Sequence, residues 1–325
     1  MLKTKILIII QLLIANNCLL FTENRLPMKE ARLLYKCEDG TGEGACWHAP
    51  SNSLLWVDID NGILHAYSLS DSTVSDHIFP TNVTTIIPLK DNPDEVLLAV
   101  KDKLVFYNLV EKTSRVCKEL PVGKDLRTND GKASPEGRAW IGVMHTKTHR
   151  ENGTLYCIDN DLSVREVLSA QSIPNGIVWN KKGDTMYYAD SGKGCIYAFD
   201  YDKENGTLSA QRVAVSVPPE YGVPDGMTID ENDNLWVAHW GGFGVYIWNP
   251  ETGALINKIE VPAPNVASCT FGGKDNKTLF ITTALSGLSV EDKIRYPLSG
   301  SLFIAETTAT AGENHYPFVY KMDVE

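Results

Sequence analysis

The sequence predicts an all-β protein, a single-domain ring of six small sheets known as a six-bladed β-propeller. One short strand pattern recurs six times along the chain. After about residue 20, no stretch has a helical pattern long enough for an amphipathic helix. The residues at the same place in each copy are Trp56, Leu98, Trp140, Tyr187, Trp236 and Phe280, with spacings of 42, 42, 47, 49 and 44. A period of roughly 40–50 residues with several strands per copy is typical of a propeller. The alternative, a large β-sandwich, would not need such regular spacing.

The first twenty or so residues are expected to lie outside this fold. Lys3 and Lys5 precede about ten apolar residues at 6–15, whereas a membrane-spanning helix needs about twenty. A basic start followed by a short apolar run is typical of a secretory signal peptide. We therefore expect a signal at 1–20, cleaved between 15 and 23, a propeller at 21–325 and a secreted protein. An uncleaved signal anchor is the alternative, because Leu19, Leu20 and Phe21 extend the apolar run.

Two further patterns bear on secretion. Four triplets match the acceptor sequence for N-linked glycans, at Asn82, Asn152, Asn205 and Asn276. Six cysteines would remain after cleavage: Cys37, Cys46, Cys117, Cys157, Cys195 and Cys269. An even number fits an oxidising compartment, but six cysteines allow fifteen pairings and the spacing selects none.

Composition limits the possible partners. The chain has 325 residues, of which 43% are hydrophobic, as in a globular protein. With 30 Lys and Arg against 41 Asp and Glu, its formal net charge is −11. An acidic surface repels phosphate backbones, so we expect no nucleic-acid partner. No second long apolar run occurs, so we expect no membrane association after signal cleavage.

Polar residues recur at one phase of the repeat, 11 to 13 residues before the anchor position. They are Glu43, Asn129, Asn175 and Asp225, and Arg127 lies on the same strand face as Asn129. Equivalent positions in a propeller meet at the central channel, although Asn-Gly and Asp-Gly pairs could instead mark turns. Carboxylate and amide oxygens are ligands that Ca²⁺, Mg²⁺ and Mn²⁺ prefer. The phase therefore predicts a cation site in the channel.

The sequence resembles the gluconolactonase/regucalcin (senescence marker protein) family, which includes the insect luciferin-regenerating enzymes. The matching stretches are GEGACWH (42–48), RTNDGKASPEGRAWIGVM (127–144), IPNGIVW (173–179), YYADSGKGCIYAFDYD (187–202), VPDGMTIDENDNLWVA (223–238), SCTFGGKDNKTLFITTA (268–284) and YPLSGSLF (296–303). This resemblance implies one divalent cation on Glu43, Asn175 and Asp225. It also implies substrate contacts from Arg127 and Asn129.

The resemblance implies a metal-dependent lactonase that hydrolyses a small-molecule cyclic ester, with Asp225 as general base or as the residue orienting the water. Calcium is the expected cation, with zinc, magnesium and manganese as alternatives, and the protein is expected to be a monomer or weak dimer. Three positions depart from the family pattern: Ala45, Ser134 and Lys147, the last near the place of an acidic substrate-binding residue. A secreted calcium-binding protein without turnover, or a hydrolase of other esters, therefore stays open as an alternative.

Overall fold

Twenty-four strands in six antiparallel sheets form the part of the chain that the computed structural model describes, residues 30–147, 151–312 and 315–321. The first nine strands are β1 (Arg32–Tyr35), β2 (Gly42–His48), β3 (Ser53–Asp58), β4 (Ile63–Ser68), β5 (Val74–Ile78), β6 (Val83–Pro88), β7 (Glu95–Val100), β8 (Lys103–Asn108) and β9 (Ser114–Glu119). The next eight are β10 (Leu126–Ala133), β11 (Ala139–His145), β12 (Gly153–Ile158), β13 (Val164–Gln171), β14 (Pro174–Trp179), β15 (Thr185–Asp190), β16 (Cys195–Asp202) and β17 (Thr207–Ser216). The last seven are β18 (Val223–Ile229), β19 (Leu235–Trp240), β20 (Gly244–Asn249), β21 (Ala254–Glu260), β22 (Val266–Gly272), β23 (Thr278–Thr283) and β24 (Leu302–Glu306). The predicted signal segment lies outside the described residues.

The predicted six-bladed β-propeller is confirmed. Each blade is a four-stranded meander of consecutive strands, such as β2 to β5 in the first blade and β18 to β21 in the fifth. The recurring strand of the sequence is the second strand of every blade, and the β-rich run after it is the third. One short helix, Val290–Arg295, lies in the connection between β23 and β24, where the sequence indicated no helix. No helix of the described ranges has the length and apolar character needed to cross a membrane.

The ring is closed by the N-terminal strand. In the sixth blade β22, β23 and β24 follow one another, and β1 adds antiparallel to β24 as the outermost strand. The segment after β1 then leads directly into β2, the innermost strand of the first blade. The first and last blades are therefore joined covalently and by hydrogen bonds, and the ring has no long open sheet edge at this junction.

Large apolar side chains fill the spaces between neighbouring blades. Between the third and fourth blades, Trp140, Trp179 and Tyr201 pack edge to face, with ring centroids 6.1, 5.8 and 5.7 Å apart. Each such aromatic pair contributes about 0.5–1.5 kcal/mol beyond simple burial. Since both faces of a blade are covered in this way, the innermost strands are held at fixed positions around the channel.

The chain after β24 crosses the end of the channel where the innermost strands finish. The amide of Gly312 donates to Ile229 O at 2.9 Å in the fifth blade. Further on, the amide of Phe318 donates to Pro88 O at 2.8 Å, and Val319 to Gly137 O at 3.0 Å. Phe318 is fully buried between the second and third blades. This C-terminal segment covers one end of the channel, so the residues at the opposite end face its mouth.

Candidate active site

The polar residues predicted from the repeat phase all lie on innermost strands. Glu43 is on β2, Arg127 and Asn129 on β10, Asn175 on β14 and Asp225 on β18. Each stands in the first half of its strand, so the five residues belong to the same end of the channel. The structure thus decides between the two interpretations of their Gly-rich surroundings: these are strand positions and not turns.

A β-bulge occurs at four of these five residues, whereas Arg127 pairs regularly with Met144. The pairing of first and second strands shifts between Glu43 and Cys46, and between Asn175 and Ile177. It shifts likewise around Asn129 in β10 and around Asp225 in β18. A bulge inserts an extra residue and re-aims side chains that a regular strand would point to either side. The bulges are the local device that turns these polar groups toward the channel.

Glycines after the site residues allow the innermost strands to approach closely. A Cβ on Gly176 would lie 2.6 Å from Asp225 O, and one on Gly226 would lie 2.7 Å from Ser268 Oγ. Such contacts are shorter than real Cβ atoms tolerate. The Asn-Gly and Asp-Gly pairs therefore serve the contact between neighbouring blades.

A chain of hydrogen bonds links the site residues across three blades. Arg127 Nη1 donates to Asn129 Oδ1 at 2.7 Å, and Asn129 Nδ2 donates to Pro174 O at 2.8 Å and to Asn175 Oδ1 at 3.3 Å. Asn175 Nδ2 donates in turn to Ser191 Oγ at 2.9 Å, and Ser191 Oγ donates to Pro224 O at 2.6 Å. Since the amide nitrogen of Asn175 is fixed by Ser191, its oxygen is held on the opposite side.

Three carboxylates lie in this part of the channel: Glu43, Asp130 and Asp225. Burial raises the pKa of Glu43 well above its usual value, and the charges of Asp225 and Asp130 raise it further. Burial also raises the pKa of Asp225, again with a contribution from Asp130. Buried like charges destabilise one another unless protons or cations neutralise them. The channel is therefore an environment that favours a bound cation.

The donor atoms fit a hard divalent cation. Asp225 Oδ1 is buried without a hydrogen-bond partner, and a buried unpaired carboxylate oxygen is costly unless it coordinates a metal. The Asn175 amide oxygen accepts one hydrogen bond and has a second lone pair free. No three His, Cys, Asp or Glu side chains of the described residues cluster tightly enough to form a metal site by themselves. A cation here would thus need Asn175 beside Glu43 and Asp225.

Arg127 is a positively charged residue near several acidic side chains, but none of those described lies within salt-bridge distance of it. Burial lowers the pKa of its guanidinium, while the charges of Asp60, Glu43 and Asp225 raise it. Within the part of the chain that the structure describes, no carboxylate forms a salt bridge with Arg127. Its remaining N–H groups are available to a polar ligand at the channel mouth.

Sequence reasoning missed several supporting residues. Asp130 lies just outside the repeat phase, and Ser191 carries no signal of its own because its partners are 16 and 33 residues away. Thr85 Oγ1 donates to Asn129 O at 2.8 Å, and Ser268 Oγ accepts from the Ala45 amide at 3.3 Å. The second and sixth blades thus contribute hydroxyl groups at the phase where the other four contribute carboxylates and amides.

Other positions singled out in the sequence lie away from these contacts. Lys147 is exposed beyond the end of β11, and its amide donates to His145 Nδ1 at 3.0 Å. The glycan acceptors Asn152, Asn205 and Asn276 are exposed, whereas Asn82 is half-buried and donates to Ile59 O at 2.7 Å.

Among the described residues, none of the six predicted mature cysteines forms a disulfide. Burial raises the pKa of their thiols, to about 12 for Cys46, Cys157 and Cys269. The even number of cysteines is therefore not explained by disulfide bonds among the described residues.

Comparisons with known proteins confirm the family resemblance. The model of the SMP-30/gluconolactonase/LRE-like family matches residues 41–285. A pentonolactonase of Haloferax volcanii is 33% identical over 273 residues, covering 83% of this chain and 91% of its own. Regucalcin of Danio rerio is 31% identical over 270 residues, covering 82% and 91%. The solved structure of a luciferin-regenerating enzyme matches with a TM-score of 0.83 at 26% identity, covering 89% and 99%. The chain therefore belongs to the SMP-30/gluconolactonase/LRE-like family.

Proposed function

We propose that this protein is a secreted, divalent-metal-dependent lactonase that opens a cyclic ester in the mouth of its central channel. The observation that carries the proposal is the buried, unpartnered Oδ1 of Asp225 beside a second buried carboxylate, Glu43. Family membership supports hydrolysis of a lactone, because a relative of similar length is named a pentonolactonase.

The cation would be held by Glu43, Asn175 and Asp225. When bound, it would polarise the lactone carbonyl and lower the pKa of a coordinated water. Calcium is our first choice, because oxygen-only ligand sets suit it and secreted proteins meet it at high concentration. Zinc, magnesium and manganese are the alternatives to be compared.

Arg127 and Asn129 would orient the substrate. Arg127 has N–H groups free to donate to ring or hydroxyl oxygens, and Asn129 fixes the guanidinium through its own Oδ1. Because these groups are positioned before a ligand arrives, little conformational freedom would be lost on binding.

The reaction itself is a water addition. The water oxygen bonds to the lactone carbonyl carbon, the ring carbon–oxygen bond breaks, and the proton released by water ends on the departing alkoxide, giving a hydroxy acid. Asp225 would orient this water for its attack on the carbonyl carbon. A carboxylate close to a dication has a lowered pKa, so Asp225 would act mainly by orientation.

Secretion and glycosylation form a separate part of the proposal. The exposed acceptors Asn152, Asn205 and Asn276 have the accessibility that a glycan needs. Asn82 is half-buried, and its Nδ2, the atom to which a glycan would attach, is held against Ile59 O, so it is less accessible than the other three. We therefore expect up to three glycans on protein recovered from a secretory host, counted by mass before and after deglycosylation.

Turnover of a lactone panel tests the function. Mature protein is stripped with chelator, supplied with Ca²⁺, Mg²⁺, Mn²⁺ or Zn²⁺, and given aldonolactones beside more apolar lactones. We expect metal-restored hydrolysis that falls at least about 10²-fold in Asp225→Ala, while Asp91→Ala, which alters an exposed carboxylate, keeps full activity. Metal binding without turnover of any lactone would instead support the non-catalytic calcium-binding alternative.

A further inference from the structure

A half-buried lysine reaches across the channel beneath the candidate site. Lys132 lies on β10 of the third blade, and its Nζ donates to Met227 O on β18 of the fifth blade at 3.0 Å. The two residues are 95 positions apart, and the bond bypasses the fourth blade between them. The ammonium group is thus fixed in the interior of the channel.

Lys132 lies beside a small cavity. Lys132 and Asp130 line a cavity of about 40 Å³, together with Ser268, Thr270 and His315. His315 belongs to the C-terminal segment that covers this end of the channel. Burial lowers the pKa of the Lys132 ammonium, and the charge of Asp130 opposes that shift. A charge in such a place is retained only when an opposite charge and hydrogen bonds compensate it.

Asp130 is the acidic residue that lines this cavity together with Lys132. Burial raises the pKa of Asp130, and the positive charge of Lys132 is the largest influence that lowers it. Asp130 Oδ1 also accepts from the Gly131 amide at 2.7 Å. Asp130 directly follows the site residue Asn129 on β10, an innermost strand, so its charge lies near the two candidate cation-binding carboxylates, Glu43 and Asp225.

We propose that Lys132, anchored on Met227 O, is a positioning residue that serves as the fixed counter-charge of Asp130. It neutralises the third carboxylate of the channel, so that Glu43 and Asp225 present the charge that one divalent cation needs. The proposal rests on the proposed function for the identity of the cation, but the balance between Lys132 and Asp130 belongs to the protein alone.

Two charge-neutralising variants, tested singly and together, examine this assignment by calorimetric Ca²⁺ titration. Lys132→Met adds one net negative charge to the channel, so we expect Ca²⁺ to bind at least about tenfold more tightly. Asp130→Asn removes one, so we expect binding at least about tenfold weaker. In Asp130→Asn/Lys132→Met the two effects should cancel, and the exposed Lys181→Met should change nothing. Equal Kd values for all variants, or shifts of one sign for both single variants, would overturn the proposal.

The thermal stability of the metal-free protein gives a readout that needs neither cation nor turnover. Lys132→Met should lower the Tm in the wild-type background and much less in the Asp130→Asn background, because no unpaired carboxylate is left there. An equal loss in both backgrounds would make Lys132 a neutral packing group and contradict the counter-charge. If wild-type protein bound no metal, the proposed function would fail, while this Tm comparison would still decide the role of Lys132.

Discussion

At the scale of single residues, Ser191 supports the polar groups of the channel, because its hydroxyl links Asn175 of the fourth blade to Pro224 O of the fifth. Glu43, Asn175 and Asp225 could be found because equivalent positions of a propeller converge on one axis. Ser191 could not, because it acts through hydrogen bonds to Asn175 and Pro224 O that join two different blades. Contacts of this kind depend on the closed ring and leave no local pattern in the sequence.

Ser191→Ala tests that support. The change removes the Ser191 hydroxyl to which the buried Asn175 Nδ2 donates, together with one hydrogen bond to Pro224 O, and a buried polar group left unsatisfied costs about 1–3 kcal/mol. We expect a lower free energy of unfolding in urea and weaker metal binding, because the Asn175 amide is free to rotate. Ser70→Ala is the matched control, since the exposed Ser70 Oγ accepts from Asn52 Nδ2 in a similar bond. Similar small losses in both variants would contradict a positioning role for Ser191.

At the scale of secondary-structure elements, strand order was predictable and strand irregularity was not. The second and third strands of each blade follow from alternating β-branched and aromatic residues bounded by Gly, Asn and Asp. A β-bulge such as those around Glu43 and Asp225 has no distinctive amino-acid composition. The glycines beside these residues were therefore equally consistent with turns when judged from the sequence. In the structure, these glycines allow neighbouring innermost strands to approach each other closely.

Gly176→Ala tests whether the close approach of β14 and β18 is needed for stability. The new methyl group would lie 2.6 Å from Asp225 O and 2.7 Å from Met227 Cγ, so β14 and β18 must move apart. We expect a loss of about 1–3 kcal/mol in unfolding free energy, together with reduced metal affinity through displacement of Asp225. Gly123→Ala provides the control, because its nearest neighbour would be a Leu126 side-chain atom at 3.7 Å. Wild-type stability in Gly176→Ala would show that this contact does not constrain the site.

At the scale of the whole molecule, the ring and its six-fold repeat were predictable, whereas its closure was not. β1 pairs with β24 about 270 positions away, and neither β1 nor the C-terminal segment carries the repeat pattern. Beside this closure, His65 lies between two acids: Nε2 is 3.3 Å from Asp39 Oδ1, and Nδ1 is 2.7 Å from Asp76 Oδ1. Asp39 precedes β2 and Asp76 is on β5, so a protonated His65 joins the inner and outer parts of the first blade.

The pH dependence of stability tests this contact. Burial lowers the pKa of His65, but the hydrogen bonds and charges of Asp39 and Asp76 outweigh it and raise the pKa above its usual value. A raised folded-state pKa stabilises below the unfolded value near 6.5 and loses that contribution as pH rises through the folded value. The stability lost in His65→Gln, measured by urea unfolding, should therefore be larger at pH 5.5 than at pH 8.5.

His48→Gln is the control of opposite sign. Burial lowers the pKa of His48, so its neutral form stabilises the fold and that contribution is lost as pH falls. Its stability difference should change with pH in the direction opposite to that of His65→Gln. A pH-independent loss in His65→Gln would mean that His65 acts only through packing against Trp56.

The proposed lactonase depends on one divalent cation bound in the channel by Glu43, Asn175 and Asp225. Its most direct test is calorimetric titration of chelator-stripped protein with Ca²⁺, comparing the wild type with Asp225→Asn. We predict one site per chain in the wild type and at least about a hundredfold weaker binding in the variant, because the amide removes a charge directly at the cation. Absence of Ca²⁺ binding in the wild type, or equal affinity in both proteins, would contradict this cation site.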